Sequence, residues 1–400
     1  MIKFYQILTV VLIFASWSLK THAQSSVTGA NVVTTAVPFL NITPDSRAGG
    51  MGDAGVATLP DVNSQHWNPA KFAFMDSETS ASLSYTPWLR KLVSDMSVSY
   101  LTGYKKLDDV QTISGSLRYF ALGDINFIQN ADDQPLVVSP SEFALDFAYT
   151  RLLSDNLSGS VAIRYIRSDI FGGQEVDGNP TKAGNSFAAD VAFYYHKTFK
   201  VNRRHNIFTA GLNISNIGSK IAYDDENKHF IPTNLRLGIG YSIEMDRYNR
   251  VSFTTEANKL MVPIGVKKVP GDNGSVVIAD PEVNNKSVIS GMISSFSDAP
   301  GGFSEELKEI NLSFGAEYTY NEQFSVRAGY FYENPDKGNR KFITAGAGLK
   351  MNLFALDFSY LVPTTSNHPL ENTLRFTLSF DFDQMNPKKK RSSKKRRRRR

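Results

Sequence analysis

The chain has 400 residues, of which 12% are aromatic and 21% charged, an unusual balance for a soluble protein. It contains no cysteine, which excludes disulfides, cysteine-based zinc sites and lipid attachment to an N-terminal cysteine. The net charge of +5 is misleading, because residues 388–400 hold eleven Lys and Arg, and without them 33 basic residues face 39 acidic ones. The body of the chain is therefore mildly acidic.

Residues 1–23 have the features of a cleaved signal peptide. Lys3 supplies a positive start, residues 7–17 are apolar, and Thr21 and Ala23 place small residues at the two positions that signal peptidase reads. A single-pass membrane anchor is the alternative, but roughly a dozen apolar residues are short for the ~20 that span a bilayer. We therefore expect cleavage after Ala23 and export.

From about residue 78, apolar and aromatic residues alternate with small or polar ones, which is the period of a β-strand. Residues 310–320 illustrate the pattern, since every second position is apolar or aromatic. Isolated charges fall on the polar face at Arg118, Arg164, Asp190, Arg236, Arg327 and Asp357. The alternation predicts fourteen strands, over residues 78–88, 94–105, 110–122, 143–153, 156–168, 186–200, 205–217, 233–246, 249–258, 310–321, 323–333, 340–350, 353–361 and 371–382.

Short and long connections alternate along the chain. The long ones are residues 123–142, 169–185, 218–232 and 259–309. This asymmetry is typical of outer-membrane barrels, in which short turns and both chain ends face the periplasm. A soluble β-sandwich is the alternative, because its strands alternate too, but it would not present Phe, Tyr and Leu on one face of nearly every strand. The predicted fold is therefore all-β: a fourteen-stranded antiparallel transmembrane barrel over residues 78–382, located in the cell outer membrane.

Residues 24–77, between the signal peptide and the first strand, predict an N-terminal plug inside the barrel. The plug motif consists of two clusters: Gly49, Gly50, Gly52 and Asp53, then Asn68 and Pro69. A nucleotide-binding loop is disfavoured, because no strand–helix unit flanks the glycines. The glycines instead allow close packing of backbone inside a lumen.

The order of these elements resembles the N-terminal hatch of the FadL-like barrels, the long-chain fatty acid transporters, which also have fourteen strands. Within that superfamily, residues 24–382 resemble the PorV family, an outer-membrane component of the type IX secretion system of Bacteroidetes. Residues 37–40, 44–49 and 66–70 carry the resemblance, and the run from Pro44 to Asp53 is its more specific part.

The resemblance implies a non-enzymatic role in protein secretion. A member of this family is expected to capture cargo through its C-terminal signal domain at the large translocon barrel, and to carry it to the sortase-like complex that attaches cargo to the cell surface. Outer-membrane lipid is a further expected partner, and nucleic acid is not. The alternative within the same fold is a FadL-like transporter of hydrophobic small molecules.

A third class, a lipid hydrolase, needs a nucleophile and a base within hydrogen-bond reach. Of the six histidines, only His196 falls at a strand position whose side chain should point into the lumen, and no serine motif accompanies it. The paired carboxylates lie in connections without the spacing of a metal-binding loop. We therefore expect no catalytic, metal or cofactor site.

The connection at residues 259–309 is the longest, and such length usually carries function. We hypothesise that exposed apolar side chains in it contact the translocon or cargo, whereas a disordered loop is the alternative. The candidate contacts are Met261, Ile264, Met292, Ile293, Phe296 and Phe303.

Residues 383–400 form a basic tail that departs from the expected family pattern. Clustered cations suit nucleic acid, but an exported protein does not routinely meet that partner. We expect an extended periplasmic tail that tethers the barrel to lipid headgroups or to an acidic partner; a solvated tail without a role is the alternative.

Overall fold

The computed structural model describes residues 32–127, 136–176, 179–225, 227–271, 274–280, 282–365 and 368–385. The predicted signal peptide and the basic tail from residue 386 onward lie outside the described residues.

Fourteen antiparallel strands close into one barrel, in which each strand pairs with its sequence neighbours. The last strand pairs back with the first, from Asp381 opposite Ser80 to Phe376 opposite Tyr85. All fourteen predicted strands are confirmed, with ends that differ by three residues at most. They are β1 Thr79–Pro87, β2 Ser97–Lys106, β3 Gln111–Ala121, β4 Ser141–Ser154, β5 Leu157–Asp169, β6 Gly184–Val201, β7 Arg204–Gly218, β8 Asn234–Glu244, β9 Asn249–Leu260, β10 Asn311–Tyr320, β11 Phe324–Tyr332, β12 Lys341–Lys350, β13 Phe354–Pro363 and β14 Thr373–Asp381.

The two faces of the wall differ in polarity, as the alternation predicts. In β1, Ser82 and Ser84 are buried, whereas Leu83 and Tyr85 are 52% and 48% exposed on the outside. The charges predicted for the polar face are buried at Arg118, Arg164, Asp190, Arg236 and Arg327. The barrel is therefore apolar outside and polar inside.

The two ends of the barrel differ in their connections. At the short-turn end, strands are joined by turns such as residues 321–323, between β10 and β11. At the long-loop end, four of the connections each carry a two-stranded hairpin. These pair Ile125–Phe127 with Leu136–Val138, Glu175–Val176 with Asn179–Pro180, Ile221–Ala222 with Lys228–His229, and Val266–Gly271 with Gly274–Ala279.

We call residues 32–77 the lumen segment, because their central part contacts the inward-facing side chains of the wall. They contain helix α1 (Ser46–Gly49), helix α2 (Ser64–Trp67) and 3-10 turns at Pro38–Asn41 and Pro69–Phe74. Most of their side chains between Val37 and Phe72 are buried.

The lumen segment runs the length of the barrel. Near its start, the Ala36 N–H donates to the Phe230 carbonyl, in a connection at the long-loop end. Near its finish, Lys106 Nζ donates to the Met75 carbonyl at the short-turn end. Residue 32 and the end of β14 therefore lie at opposite ends of the barrel. Both chain ends lie outside the described residues, so the expectation that they share one side stays a prediction.

The connection between β9 and β10 is folded in its described part. After the Val266–Ala279 hairpin come a 3-10 turn at Val283–Asn285, helix α3 (Val288–Ser294), helix α4 (Phe303–Glu306) and a 3-10 turn at Leu307–Glu309. A disordered loop is therefore the wrong alternative there. Among the described residues, no helix has the length and apolar character needed to cross a membrane.

Candidate functional site: the lumen and its long-loop mouth

The glycines of the predicted plug motif lie where the lumen segment touches the wall. A Cβ on Gly52, whose φ is +70°, would lie 2.7 Å from the backbone of Tyr330. A Cβ on Gly49 would lie 2.8 Å from Cδ of Arg375, and one on Gly50 would lie 3.2 Å from Cα of Gly346. Close backbone packing, the role predicted for these glycines, is what the geometry shows.

The acidic residues beside the glycines hold the local turns. Asp53 adopts a positive φ of 59°, and its Oδ1 lies 3.5 Å from Nη2 of the buried Arg375. Asp45, which sequence reasoning did not select, caps α1 by accepting the Ala48 N–H at 2.9 Å. Its second oxygen accepts the Trp67 indole N–H at 2.7 Å. Asp45 therefore joins the two helices of the lumen segment.

Asn68 and Pro69 fasten the second half of the segment. The Asn68 amide donates to the carbonyls of Val56 at 3.1 Å and Phe193, in β6, at 2.9 Å. The Asn68 Oδ1 accepts the Ala70 N–H, and the Pro69 carbonyl accepts from the Thr150 hydroxyl at 2.9 Å. Every predicted plug-motif residue is thus a structural contact within the lumen.

A buried ion network joins the lumen segment to the wall. Arg47 of α1 donates to both oxygens of Glu317 in β10, at 3.0 and 2.9 Å, and pairs with Asp61 at 2.7 Å. Glu317 also accepts from Arg327 at 2.6 Å, and Arg327 pairs with Asp357 at 2.6 Å. Opposite charges so placed offset the cost of burying each one.

A polar cavity of about 750 Å³ opens at the short-turn end. The network forms part of its lining through Arg47, Asp61, Glu317, Arg327 and Asp357. The ion network between the lumen segment and the wall therefore lines part of this cavity.

The predicted contact residues of the long connection divide into two groups. Ile293, Phe296 and Phe303 are exposed as expected, at 68%, 46% and 75%. Ile264 and Met292 are buried, so the prediction that they are exposed is wrong, and Met261 is half-buried. For Met292 the physical reason is that α3 has two faces: the adjacent Gly291 packs against the Phe230 ring, whereas Ile293 points outward. Ile264 lies before the helix, where its N–H donates to Asp298 at 3.2 Å.

Ile289, Ile293 and Phe296 form an exposed apolar stripe. Ile289 and Ile293, four residues apart, lie on one side of α3, and Phe296 follows in the turn after the helix ends at Ser294. Ile289 is exposed but was not among the predicted contacts, although its spacing from Ile293 is visible in the sequence.

A buried charge cluster anchors the connection beside this stripe. Lys259, at the end of β9, pairs with Glu306 at 3.2 Å and Glu309 at 2.5 Å. Lys337, in the connection between β11 and β12, pairs with Glu305 at 2.8 Å and Glu309 at 3.0 Å. The long connection is thus fixed to its neighbour.

The two lumenal histidines have structural neighbours. His66 Nδ1 lies 2.6 Å from Arg118 Nη2, so it accepts that hydrogen bond. The His196 ring stacks on Phe74, with centroids 5.0 Å apart. Within the described ranges, no three His, Asp or Glu side chains are grouped so that they could hold a metal ion.

The sequence matches a family model over residues 25–267, and that model is described as type IX secretion system protein PorV. The chain belongs to this family. Membership of the PorV family implies an outer-membrane component of the type IX secretion system that associates with other components of that system. No curated protein matches the sequence.

Similar solved structures include two from Pseudomonas. The toluene transporter TodX of Pseudomonas putida is 10% identical, with a TM-score of 0.48, over 84% of this chain and 97% of that chain. A FadL homologue from Pseudomonas aeruginosa is 10% identical, with a TM-score of 0.47, over 85% of this chain and 99% of that chain. LpxR from Salmonella typhimurium is 9% identical, with a TM-score of 0.33, over 76% of this chain and 100% of that chain.

Proposed function

We propose that this PorV-family protein spans the outer membrane and receives secreted cargo there. In this proposal it binds the C-terminal signal domain of cargo at the large translocon barrel and delivers the cargo to the sortase-like attachment complex. The role involves no catalysis by the barrel. The observation that carries the proposal is the family match, which covers the lumen segment and most of the wall strands.

The outer surface supports the membrane location. Apolar side chains such as Leu101, Ile163, Phe187 and Phe253 are exposed on the outside of the wall. Water does not favour so much exposed apolar surface, whereas the hydrocarbon of a bilayer does. The long-loop end then faces outside and the short-turn end faces the periplasm.

The long connection supports a partner contact. Its apolar stripe, Ile289, Ile293 and Phe296, lies on α3 and the turn after it. Gly291 of α3 packs against Phe230, and the end of the same connection is held by the ion pairs of Lys259 with Glu306 and Glu309. An apolar surface held in a fixed position binds with a smaller entropic cost than a flexible loop. We assign this stripe, with Phe303, to the translocon or cargo.

The experiment is cargo secretion in cells whose stripe is changed to Ile289→Ser, Ile293→Ser and Phe296→Ser. Cargo should accumulate in the periplasm, and the translocon should no longer co-purify, while the barrel remains heat-modifiable. The matched control is Ser290→Ala with Ser297→Ala, two exposed polar residues of the same region. Normal secretion by the stripe variant would remove the stripe from the proposal, and secretion without the protein would remove the proposed function.

A FadL-like transporter of hydrophobic molecules is the second candidate. The specific observation in its favour is an apolar recess of about 510 Å³ on the barrel wall, lined by residues such as Phe193, Leu212, Leu237 and Leu312. Against it, Phe39 and Leu40 occupy the apolar part of the lumen at the long-loop end. Saturable fatty-acid binding to the purified protein would favour transport.

A further inference from the structure

The first turn of the lumen segment lies in an apolar cradle at the long-loop mouth. Phe39 and Leu40 are buried there, and the Phe39 ring stacks on Phe120 with centroids 6.2 Å apart and planes 9° apart. We define the cradle as the wall and connection residues that surround this turn: Val98, Phe120, Ala144, Ile166, Ala188, Ile221, Tyr223 and Ile231.

The cradle also binds the backbone of the turn. The Ala36 N–H donates to the Phe230 carbonyl at 2.9 Å. Arg118 Nη1 donates to the carbonyls of Phe39 at 3.1 Å and Leu40 at 2.7 Å. One donor and two acceptors of a peptide backbone are thus matched beside two apolar side chains. This combination recognises a short apolar peptide.

The turn itself is not an ideal ligand for the cradle. Val37 is buried with φ 47° and ψ 48°, a left-handed conformation that is strained for a β-branched residue. The Asn41 Oδ1 is buried, and no described group donates a hydrogen bond to it. Both features penalise the occupied state relative to a state in which the turn has left the cradle.

The turn can leave without loss of the remaining lumen contacts. Val32 and Thr34, which precede it, are exposed at the mouth. The next firm attachments to the wall are the Ser46 N–H, which donates to Thr377 Oγ1 at 2.9 Å, and the Arg47–Glu317 pair. Residues 32–42 can therefore move while the segment from Ser46 onward stays fixed.

We propose that the cradle is a peptide-binding site, which Ala36–Asn41 of the chain occupies as an internal ligand. Its external ligand is a partner peptide with two adjacent large apolar residues, which replaces Phe39 and Leu40 and offers two carbonyls to Arg118. The inference does not depend on the identity of the cargo, and it holds equally if the partner is another protein of the surface.

The test measures fluorescence polarisation with a labelled synthetic peptide of residues 33–43 and the purified full-length protein. The variant Phe39→Ala with Leu40→Ala weakens the internal ligand, so it should bind the peptide at least tenfold more tightly than the unchanged protein. A probe with serine at its own Phe and Leu positions should not bind. Adding Arg118→Met to the double variant should reduce binding at least tenfold.

The matched control is Thr34→Ser, which lies outside the cradle and should bind the peptide as the unchanged protein does. Each variant is first checked for a heat-modifiable barrel. The proposal would be overturned if the folded double variant bound both probes with equal affinity. It would also be overturned if that variant bound neither probe. Displacement of the peptide by oleate at concentrations where an unrelated apolar peptide has no effect would also overturn it, because the site would then be one for lipid.

Discussion

Arg47 and Glu317 lie 270 positions apart in the sequence, and they form a bidentate ion pair inside the barrel. Their side chains are 13% and 4% exposed. The pair fixes α1 of the lumen segment to β10 of the wall. Because Glu317 also accepts from Arg327, one carboxylate bridges two buried guanidinium groups, which pair in addition with Asp61 and Asp357.

Glu317→Gln should therefore destabilise the barrel. The variant weakens the hydrogen bonds that Arg47 and Arg327 donate to this carboxylate and leaves each arginine with one carboxylate, Asp61 or Asp357, so the expected cost is about 1–3 kcal/mol. Urea unfolding followed by heat-modifiability measures the change, with Glu322→Gln in an exposed turn as the control. Stability equal to that of the control would mean that Asp61 and Asp357 compensate the two arginines without Glu317.

Gly329→Ala should displace the lumen segment. A Cβ on Gly329 would lie 2.0 Å from the Gly52 nitrogen, so backbone must move. Overpacking of this kind costs about 1–3 kcal/mol. Hydrogen exchange of residues 48–56 should increase, whereas Gly265→Ala, where no atom lies within 4 Å of the added Cβ, should leave it unchanged. Unchanged exchange in both variants would contradict the close contact.

The sequence predicted the wall well, and the reason is physical. Each strand has one face toward the polar interior and one toward the apolar outside, so apolar and polar residues alternate in every strand. For this reason the ends of β1 to β14 were predicted to within three residues. The same alternation predicted that charged residues such as Arg164 and Asp190 point into the barrel. The glycine-rich run was also assigned correctly to close packing.

The contacts made by that run could not be predicted. Nothing in the sequence links Gly52 to Gly329, because the contact depends on the path of the lumen segment through the barrel. Similarly, the burial of Met292 depends on which side of α3 meets Phe230. The composition of a connection does not contain that information.

The pH dependence of the long connection should be governed by Asp298. Burial raises the pKa of its carboxyl to about 6, helped by the nearby Glu306 and Glu309 and opposed by the Ile264 N–H, which donates at 3.2 Å. The unfolded connection has the ordinary Asp pKa of about 4. Between these values the folded form binds more protons, so its stability is greatest below about pH 4 and falls as the pH rises through about 6.

Hydrogen exchange of residues 288–298, measured from pH 4 to pH 8 and corrected for intrinsic rates, tests this sign. Asp298→Asn should flatten the pH dependence, because the titrating carboxyl is gone. Asp155→Asn, in an exposed turn, should retain it. A connection that becomes more protected as the pH rises would show that the assigned direction is wrong.

The topology predicts which positions are reached from outside the cell. The chain lacks cysteine, so a single introduced cysteine reports its own location. Cysteines at Thr34 and Asp336 should react with a membrane-impermeant maleimide on intact cells, and those at Asp155 and Arg247 should react only after lysis. Labelling at Thr34 tests the direction of the lumen segment separately from the loops. The alternation of short and long connections also predicts that tags near Gly178 and Asn273 are reached from outside; both positions lie outside the described residues, so this stays a prediction.

The last prediction concerns the basic tail, which lies outside the described residues from residue 386. β14 finishes at the short-turn end, and Asp383 near its end accepts the Glu78 N–H at 2.5 Å, so the tail starts at the end assigned to the periplasm. Eleven cations in residues 388–400 attract an anionic surface by about 1 kcal/mol per basic residue near it. Truncation after Asn386 should therefore leave a heat-modifiable barrel but weaken a salt-sensitive association with lipid or with periplasmic partners.

The measurement is a pull-down of full-length and truncated protein at low and high salt. At low salt the full-length protein should retain partners that the truncated protein loses, and at high salt the two should match, because ions screen exposed charges. A matched control replaces the eleven Lys and Arg by Gln and keeps the length of the tail. If this neutral tail retains the partners at low salt, length and not charge is responsible. If all three proteins match at both salt concentrations, the tail does not act as a tether.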